Sequence, residues 1–222
     1  MSKKVKIRQA RSGDIDGILR VEKEAWGESQ AANRKMFESR LKVFPEGTLV
    51  AELDDKIIGV VVTEIVSYDI EKQSFTWYEV TDNGYLKNSH NKDGDSLFGV
   101  DLSVLPDAPR GTGSKLLGGV GKLAIRYNLK RGILGGRIPE YCKYKDKYTP
   151  EEYLKQTIIK DGKKVPLDPE IRFYKKADLK IIKVIPNYYK DPESLDYGVL
   201  LVWNNPFYNK WYRNLAAKIF KV

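Results

Sequence analysis

The chain has 222 residues, 41% hydrophobic and 31% charged, and 39 lysines and arginines against 30 aspartates and glutamates leave a formal charge of +9. That is enough for one domain with additions and for a core that needs no staples. A single cysteine (Cys142) and a single histidine (His90) exclude an intrachain disulfide, a thiolate zinc site and histidine-rich metal sites. The longest apolar runs, 57–62 and 199–203, are far below the roughly 18 residues of a membrane span, and no signal-peptide core follows Met1, so the expectation is a soluble, cytoplasmic protein.

Alternation around Val5 and Ile7 predicts a first strand over 3–9. Ser12 and Asp14 then open a helix carrying Ile15, Ile18, Leu19, Val21 and Ala25, which Gly27 ends. A second helix is predicted over 29–43, followed by strands at 48–53 and 56–68 around the turn Asp54-Asp55. Residues 69–96 lose periodicity and read as a long excursion containing a hairpin, with Phe75, Trp77, Tyr78 and Tyr85 among polar residues. A central strand through Phe98, Val100, Leu102 and Val104 stops at Pro106, and a helix runs from the glycine loop to about Lys130. Its internal Gly118, Gly119 and Gly121 imply close backbone packing or an imperfect helix. A brief strand at Ile133-Leu134 follows. Thr149-Pro150 and Asp168-Pro169 each start a helix, and strands are predicted at 179–185 and 196–203. The tail spaces Phe207, Trp211, Leu215 and Ile219 four apart, as an amphipathic helix packed on the rest would. This divides the chain into a domain at 1–206 and a terminal helix at 207–222, a mixed α/β layer fold.

The informative order is strand, then Pro109-Arg110-Gly111-Thr112-Gly113-Ser114, then helix. Glycines there let backbone approach a ligand, and the free amides and positive dipole end of the first turn hold an anion. Arg110 and Lys115 add charge-assisted contacts to phosphate. A plain strand-to-helix turn is the competing reading. A P-loop is excluded because Ser114-Lys115-Leu116 follows Gly113, and the dinucleotide fingerprint because Leu116 stands where its third glycine belongs.

Leu102-Ser103-Val104-Leu105-Pro106 with Gly111-Thr112-Gly113-Ser114-Lys115-Leu116-Leu117 resembles the central motif of the GNAT superfamily of N-acetyltransferases, with Ala108 where glutamine or arginine is usual. Asp168 to Lys176 resembles the family's late helix, although Asp178-Leu179 replaces its Gly-Phe pair. Residues 136–141, 185–188 and 203–206 resemble a bacterial branch of predicted acetyltransferases. The resemblance implies a mostly antiparallel sheet splayed at its central strand, with helices on both faces. It also implies acetyl-CoA as co-substrate and an amine as acceptor. Leu102, Ser103 and Val104 would pair with the pantetheine arm, Arg110, Gly111, Thr112, Gly113 and Ser114 would hold the pyrophosphate with Lys115 beside them, and Tyr174 would be the acid for the leaving thiolate. A lysine-type amine must lose a proton before attack. Glu64, interrupting an apolar strand, Asp101, opposite in parity to Val100 and Leu102, and water are the candidate bases. His90 is expected to be exposed and without a catalytic role, and Cys142 unreactive. The excursion at 69–96 and residues 137–141 would shape the acceptor site; a lid or homodimer contact is the other reading of the excursion. Two rivals remain. Trp77, Tyr78 and Tyr85 could stack bases in a nucleic-acid module, although the basic residues are scattered among acids. Alternatively, a CoA-binding regulatory domain could have lost the chemistry.

Overall fold

The computed structural model describes residues 4–71 and 75–220. After strand β1 (Lys6–Gln9), helix α1 (Ile15–Trp26) buries Ile15, Ile18 and Val21, and Gly27 ends it at φ 72°. Helix α2 (Arg34–Val43) begins five residues later than the predicted 29, because the Asn33 side chain accepts the Met36 amide at 3.1 Å and caps it there. Strands β2 (Thr48–Leu53) and β3 (Lys56–Val66) follow. The excursion holds the short helix α3 (Trp77–Val80), capped by Thr76 and Glu79, and then turns; no hairpin forms among its described residues, which omit 72–74. Strand β4 (Ser96–Val104) leads through the glycine loop into α4 (Thr112–Arg126), a continuous helix whose Gly119 meets Leu49 and whose Gly121 meets Phe220. Next come β5 (Arg131–Gly136), α5 (Pro150–Tyr153), the hairpin β6 (Thr157–Lys160) and β7 (Lys163–Pro166), α6 (Pro169–Lys176), β8 (Lys180–Ile185), β9 (Gly198–Asn204) and α7 (Arg213–Ile219).

Seven strands form one sheet in the order β1-β2-β3-β4-β5-β9-β8, antiparallel throughout except for β4 beside β5. Register sorts the faces. Val60 pairs with Ser103, whose hydroxyl takes the Trp26 indole N–H at 2.7 Å, so that face meets α1. Leu49 and Val61, paired and one step along, turn the other way, where Leu49 lies under Gly119 of α4. β3 is buried nearly end to end because both faces are covered.

The sheet opens at its centre. Val62 pairs with Asp101 and Thr63 with Gly99, which leaves Val100 as an extra residue in β4. β4 also pairs with β5 only from Ser96–Arg131 to Gly99–Leu134, so beyond Gly99 its second edge has no strand partner among the described residues. The Trp77 indole donates to the Val100 carbonyl at 2.8 Å and holds the bulge. The splay expected from the family resemblance is therefore present, with helices on both faces.

The terminal helix differs from its sequence reading. Residues 206–212 are not helical, with turns at 206–209 and 211–212, so the four-residue spacing starting at Phe207 does not project onto one helix face. The face of α7 that is buried carries Ala216 and Ala217, whereas Trp211, Leu215 and Ile219 remain 89%, 64% and 72% exposed. His90 also departs from expectation: it is half-buried, stacks on Phe44 and accepts the Ile65 amide at Nδ1 (3.2 Å). Among the described residues no helix is long and apolar enough to cross a membrane.

Two stability outcomes follow. A Cβ at Gly135 would lie 2.1 Å from Cζ of the buried Tyr188 ring. Gly135→Ala should therefore cost about 1–3 kcal/mol by overpacking, read as a lower urea midpoint; an unchanged midpoint would refute that contact. Glu64 is fully buried, with Oε2 accepting from Ser89 at 2.7 Å and Oε1 without a hydrogen-bond partner among the described residues. Burial pushes its carboxyl from 4.5 to about 8, despite the opposing pull of the Ser89 hydrogen bond and the Arg40 charge. The folded state then holds a proton that the unfolded chain has lost between those values, so stability falls as pH rises from about 4.5 to 8. Glu64→Gln should flatten that fall in melts taken across the range; an identical slope would show that Glu64 does not carry it.

Candidate active site

The opened sheet bounds a cleft of about 880 Å³. Asp101, Leu102, Ser103 and Val104 line it from β4, Gly113 from the start of α4, and Tyr174 from α6. Six of the residues picked out by sequence thus share one cavity. Glu64 does not line it; it lies in the core behind Ser89. Arg110, Gly111 and Lys115 are exposed, Ser114 is half-buried, and Thr112 is buried with its hydroxyl on the Pro109 carbonyl at 2.7 Å.

Gly111 takes a left-handed conformation (φ 87°), which turns the chain into α4 and is strained for any residue with a Cβ. Among the described residues no side chain caps this helix. Among the described residues the amides of Gly113 and Ser114 meet no acceptor, as an anion-holding first turn requires. Asp168 fixes α6 by accepting the amides of Glu170 and Ile171 at 2.9 and 3.1 Å, with Pro169 in the first turn. Tyr174 thereby lies over Gly136. Its hydroxyl makes no hydrogen bond among the described residues. Burial and the Glu170 charge hold this phenol well above its usual 10, so it remains protonated at neutral pH.

Sequence reasoning missed most of the charged wall. Asp101 forms an ion pair with Arg40 at 3.2 Å, and Arg40 is fully buried with Nε on the Gly84 carbonyl at 2.8 Å. Ser103 donates from its hydroxyl to Asp101 at 3.3 Å. Glu22, 1% exposed, faces Asp101 and Ser103 and accepts the Ala32 amide at 3.2 Å. Arg137 chelates Asp191 at 2.8 and 3.0 Å, reaches Glu193 at 2.8 Å and Glu170 at 3.7 Å, and stacks on Trp26 at 4.9 Å. Burial pushes Glu170 up to about 7 against the pull of Arg137. A signal was present: Glu22 is four residues after Ile18, and Arg40 three after Phe37, so each sets a charge on an apolar helix stripe.

Aromatic rings form the far wall. Trp77 and Tyr78 lie against Tyr189 with centroids 5.3 and 5.5 Å away, and Trp26 stands edge-on to it at 6.5 Å. All four line the cleft. The excursion at 69–96 thus contributes Trp77 and Tyr78 to the cavity, and its chain is tied in where the Trp77 amide meets the Tyr188 carbonyl at 2.7 Å.

No family model matches the chain. It is 35% identical over 215 residues to YkwB of Bacillus subtilis (strain 168), an uncharacterised N-acetyltransferase, covering 92% of this chain and 90% of that one. It is also 35% identical over 208 residues to YhcX of the same organism, named a probable hydrolase; there it covers 93% of this chain and spans only 40% of the relative's length. Among solved structures, the GphF GNAT-like decarboxylase in complex with isobutyryl-CoA superposes with a TM-score of 0.73 at 21% identity, over 90% of this chain and 99% of that one. That likeness concerns the fold alone. The near full-length relationship to YkwB goes further, and on it the chain belongs to the GNAT family of N-acetyltransferases.

Proposed function

We propose that the chain transfers an acetyl group from acetyl-CoA to a primary amine by direct attack on the thioester. The observation that carries this reading is the loss of β4–β5 pairing after Gly99, which opens the β4 edge onto the cleft just ahead of an uncapped helix N-terminus. The unpaired edge at Leu102, Ser103 and Val104 offers backbone groups to the amide-bearing pantetheine arm. The amides of Gly113 and Ser114 take the pyrophosphate oxygens, with Gly111 and Thr112 shaping the turn. Arg110 and Lys115, exposed at the mouth, add charge. The bound isobutyryl-CoA of the GphF structure supports an acyl-CoA ligand for this fold, and the family supports an amine acceptor.

A backbone amide of β4 stabilises charge developing on the thioester oxygen. Tyr174, protonated and in the cleft, gives its proton to the departing thiolate sulfur. Asp101 lines the cleft beside Ser103 and is paired with Arg40.

A thiol-release assay over a panel of primary amines tests this. The wild type should release CoA in an amine-dependent manner, and Tyr174→Phe should lower kcat by about 10²-fold or more while calorimetry shows acetyl-CoA affinity unchanged. Absence of acetyl-CoA binding would contradict the reading, and full activity in Tyr174→Phe would contradict the acid role.

A further inference from the structure

The buried charge beside β4 does not balance. Glu22 of α1, Asp101 of β4 and Arg40 of α2 are in contact or within electrostatic reach, and they supply two carboxylates to one guanidinium. Asp101 takes Arg40 as its counter-ion. Glu22 has Ser103 and Asp101 as its side-chain hydrogen-bonding neighbours, but its Oε1 meets no well-aligned donor among the described residues, although Glu22 is 1% exposed and lines the cleft. A carboxylate so placed requires a proton or a cation. Asp101 and Arg40 are the charged groups that face it across the helix–sheet contact, and burial with the Asp101 charge favours its protonated form. Glu170, the other carboxylate with a raised pKa in the cleft, already has Arg137 at 3.7 Å.

The cavity as a whole has the same bias. Among the described residues the charged ones lining it are Glu22, Glu24, Asp101 and Glu170 against Arg40 and Arg137, with no lysine, in a chain that carries 39 lysines and arginines. The aromatic wall already holds one cation, since Arg137 lies on the Trp26 ring, and the Trp77, Tyr78 and Tyr189 rings beside it have the same affinity for positive charge.

We infer that Glu22 and the ring of Trp26, Trp77, Tyr78 and Tyr189 form the acceptor subsite, that its ligand is an alkylammonium with an apolar or aromatic body, and that Glu22 takes the ammonium proton. This rests on the acyltransferase reading above. The balance is simple. The ammonium nitrogen gives one proton to Glu22, and its lone pair then forms the C–N bond to the thioester carbon as the C–S bond breaks. The second nitrogen proton replaces the one Tyr174 gives to the thiolate, and Glu22 returns its proton to solvent. One amide, one thiol and one released proton result from an ammonium and a thioester. The subsite asks for a cation at its floor and apolar surface above it, so bulky neutral or anionic acceptors are disfavoured.

Calorimetry of phenethylammonium on the free, full-length protein tests this, with neutral 2-phenylethanol as control. The wild type should bind the ammonium and release a proton on doing so, read as a dependence of heat on buffer ionisation, and binding should strengthen as pH rises. Glu22→Gln, isosteric and checked by circular dichroism, should weaken binding at least tenfold and abolish proton release, while Glu22→Asp restores part of both. A wild type that binds no ammonium, or a Glu22→Gln protein with affinity within threefold and unchanged proton release, would overturn the subsite. Acetyl-CoA is titrated separately into both proteins. If neither binds it, the acyltransferase reading fails, while the amine titration still decides the subsite.

Discussion

One hydrogen bond sits where the rest of the molecule turns. Val100 is the extra residue of β4, and its carbonyl, taken out of the ladder, accepts the Trp77 indole N–H at 2.8 Å. A bulge bends its strand and raises local twist. Here the bend coincides with the last β4–β5 pair, Gly99–Leu134, and the two strands part from that point. Without the indole a buried carbonyl would lack a partner, at a cost of about 1–3 kcal/mol. The excursion at 69–96, with its short helix α3, is thus part of the device that opens the sheet, which explains why so long a connection persists in this domain.

The splay and the polar wall depend on each other. Beyond the bulge, Asp101 and Ser103 point to the same face two residues apart, and that face meets α1 and α2. The hydroxyl of Ser103 joins Trp26 to Asp101, and Arg40 joins Asp101 to the Gly84 carbonyl, so the cleft floor, both helices and the excursion share one network. On the opposite side of the opening, Arg137 ties β5 to Asp191 and Glu193 and closes over Trp26. Trp26, bonded to Ser103 and covered by Arg137, joins the two charged clusters that hold the walls of the cleft. Charge is sorted between the surface and this gap: the overall surplus is basic, whereas the lining carries more acids than bases.

Much of this was legible in sequence, for reasons that can be named. Asp168-Pro169 and Thr149-Pro150 mark helix starts because capping is local chemistry, and both caps are present. Alternation and runs of β-branched residues marked β2, β3 and β4 within a few residues. The motif at Gly111-Thr112-Gly113 was readable because a left-handed turn before a helix leaves few choices of residue. The β6–β7 hairpin was overlooked despite Asp161-Gly162, both at positive φ, a strong two-residue turn signal. The terminal stripe misled because spacing alone does not say where helix begins. The Glu22–Asp101–Arg40 cluster could not be assembled from sequence: its members lie on three elements up to 79 positions apart, and only the register of β4 against the helices brings them together.

The central claim is that the unpaired β4 edge and the first turn of α4 together hold an acyl-CoA. Hydrogen–deuterium exchange with and without acetyl-CoA tests it most directly, because both contacts are made through backbone amides. The account requires slowed exchange confined to peptides spanning 101–104 and 111–115, with β1, β2 and the β6–β7 hairpin unchanged. Protection elsewhere, or no change in those two segments at saturating acetyl-CoA, would contradict it.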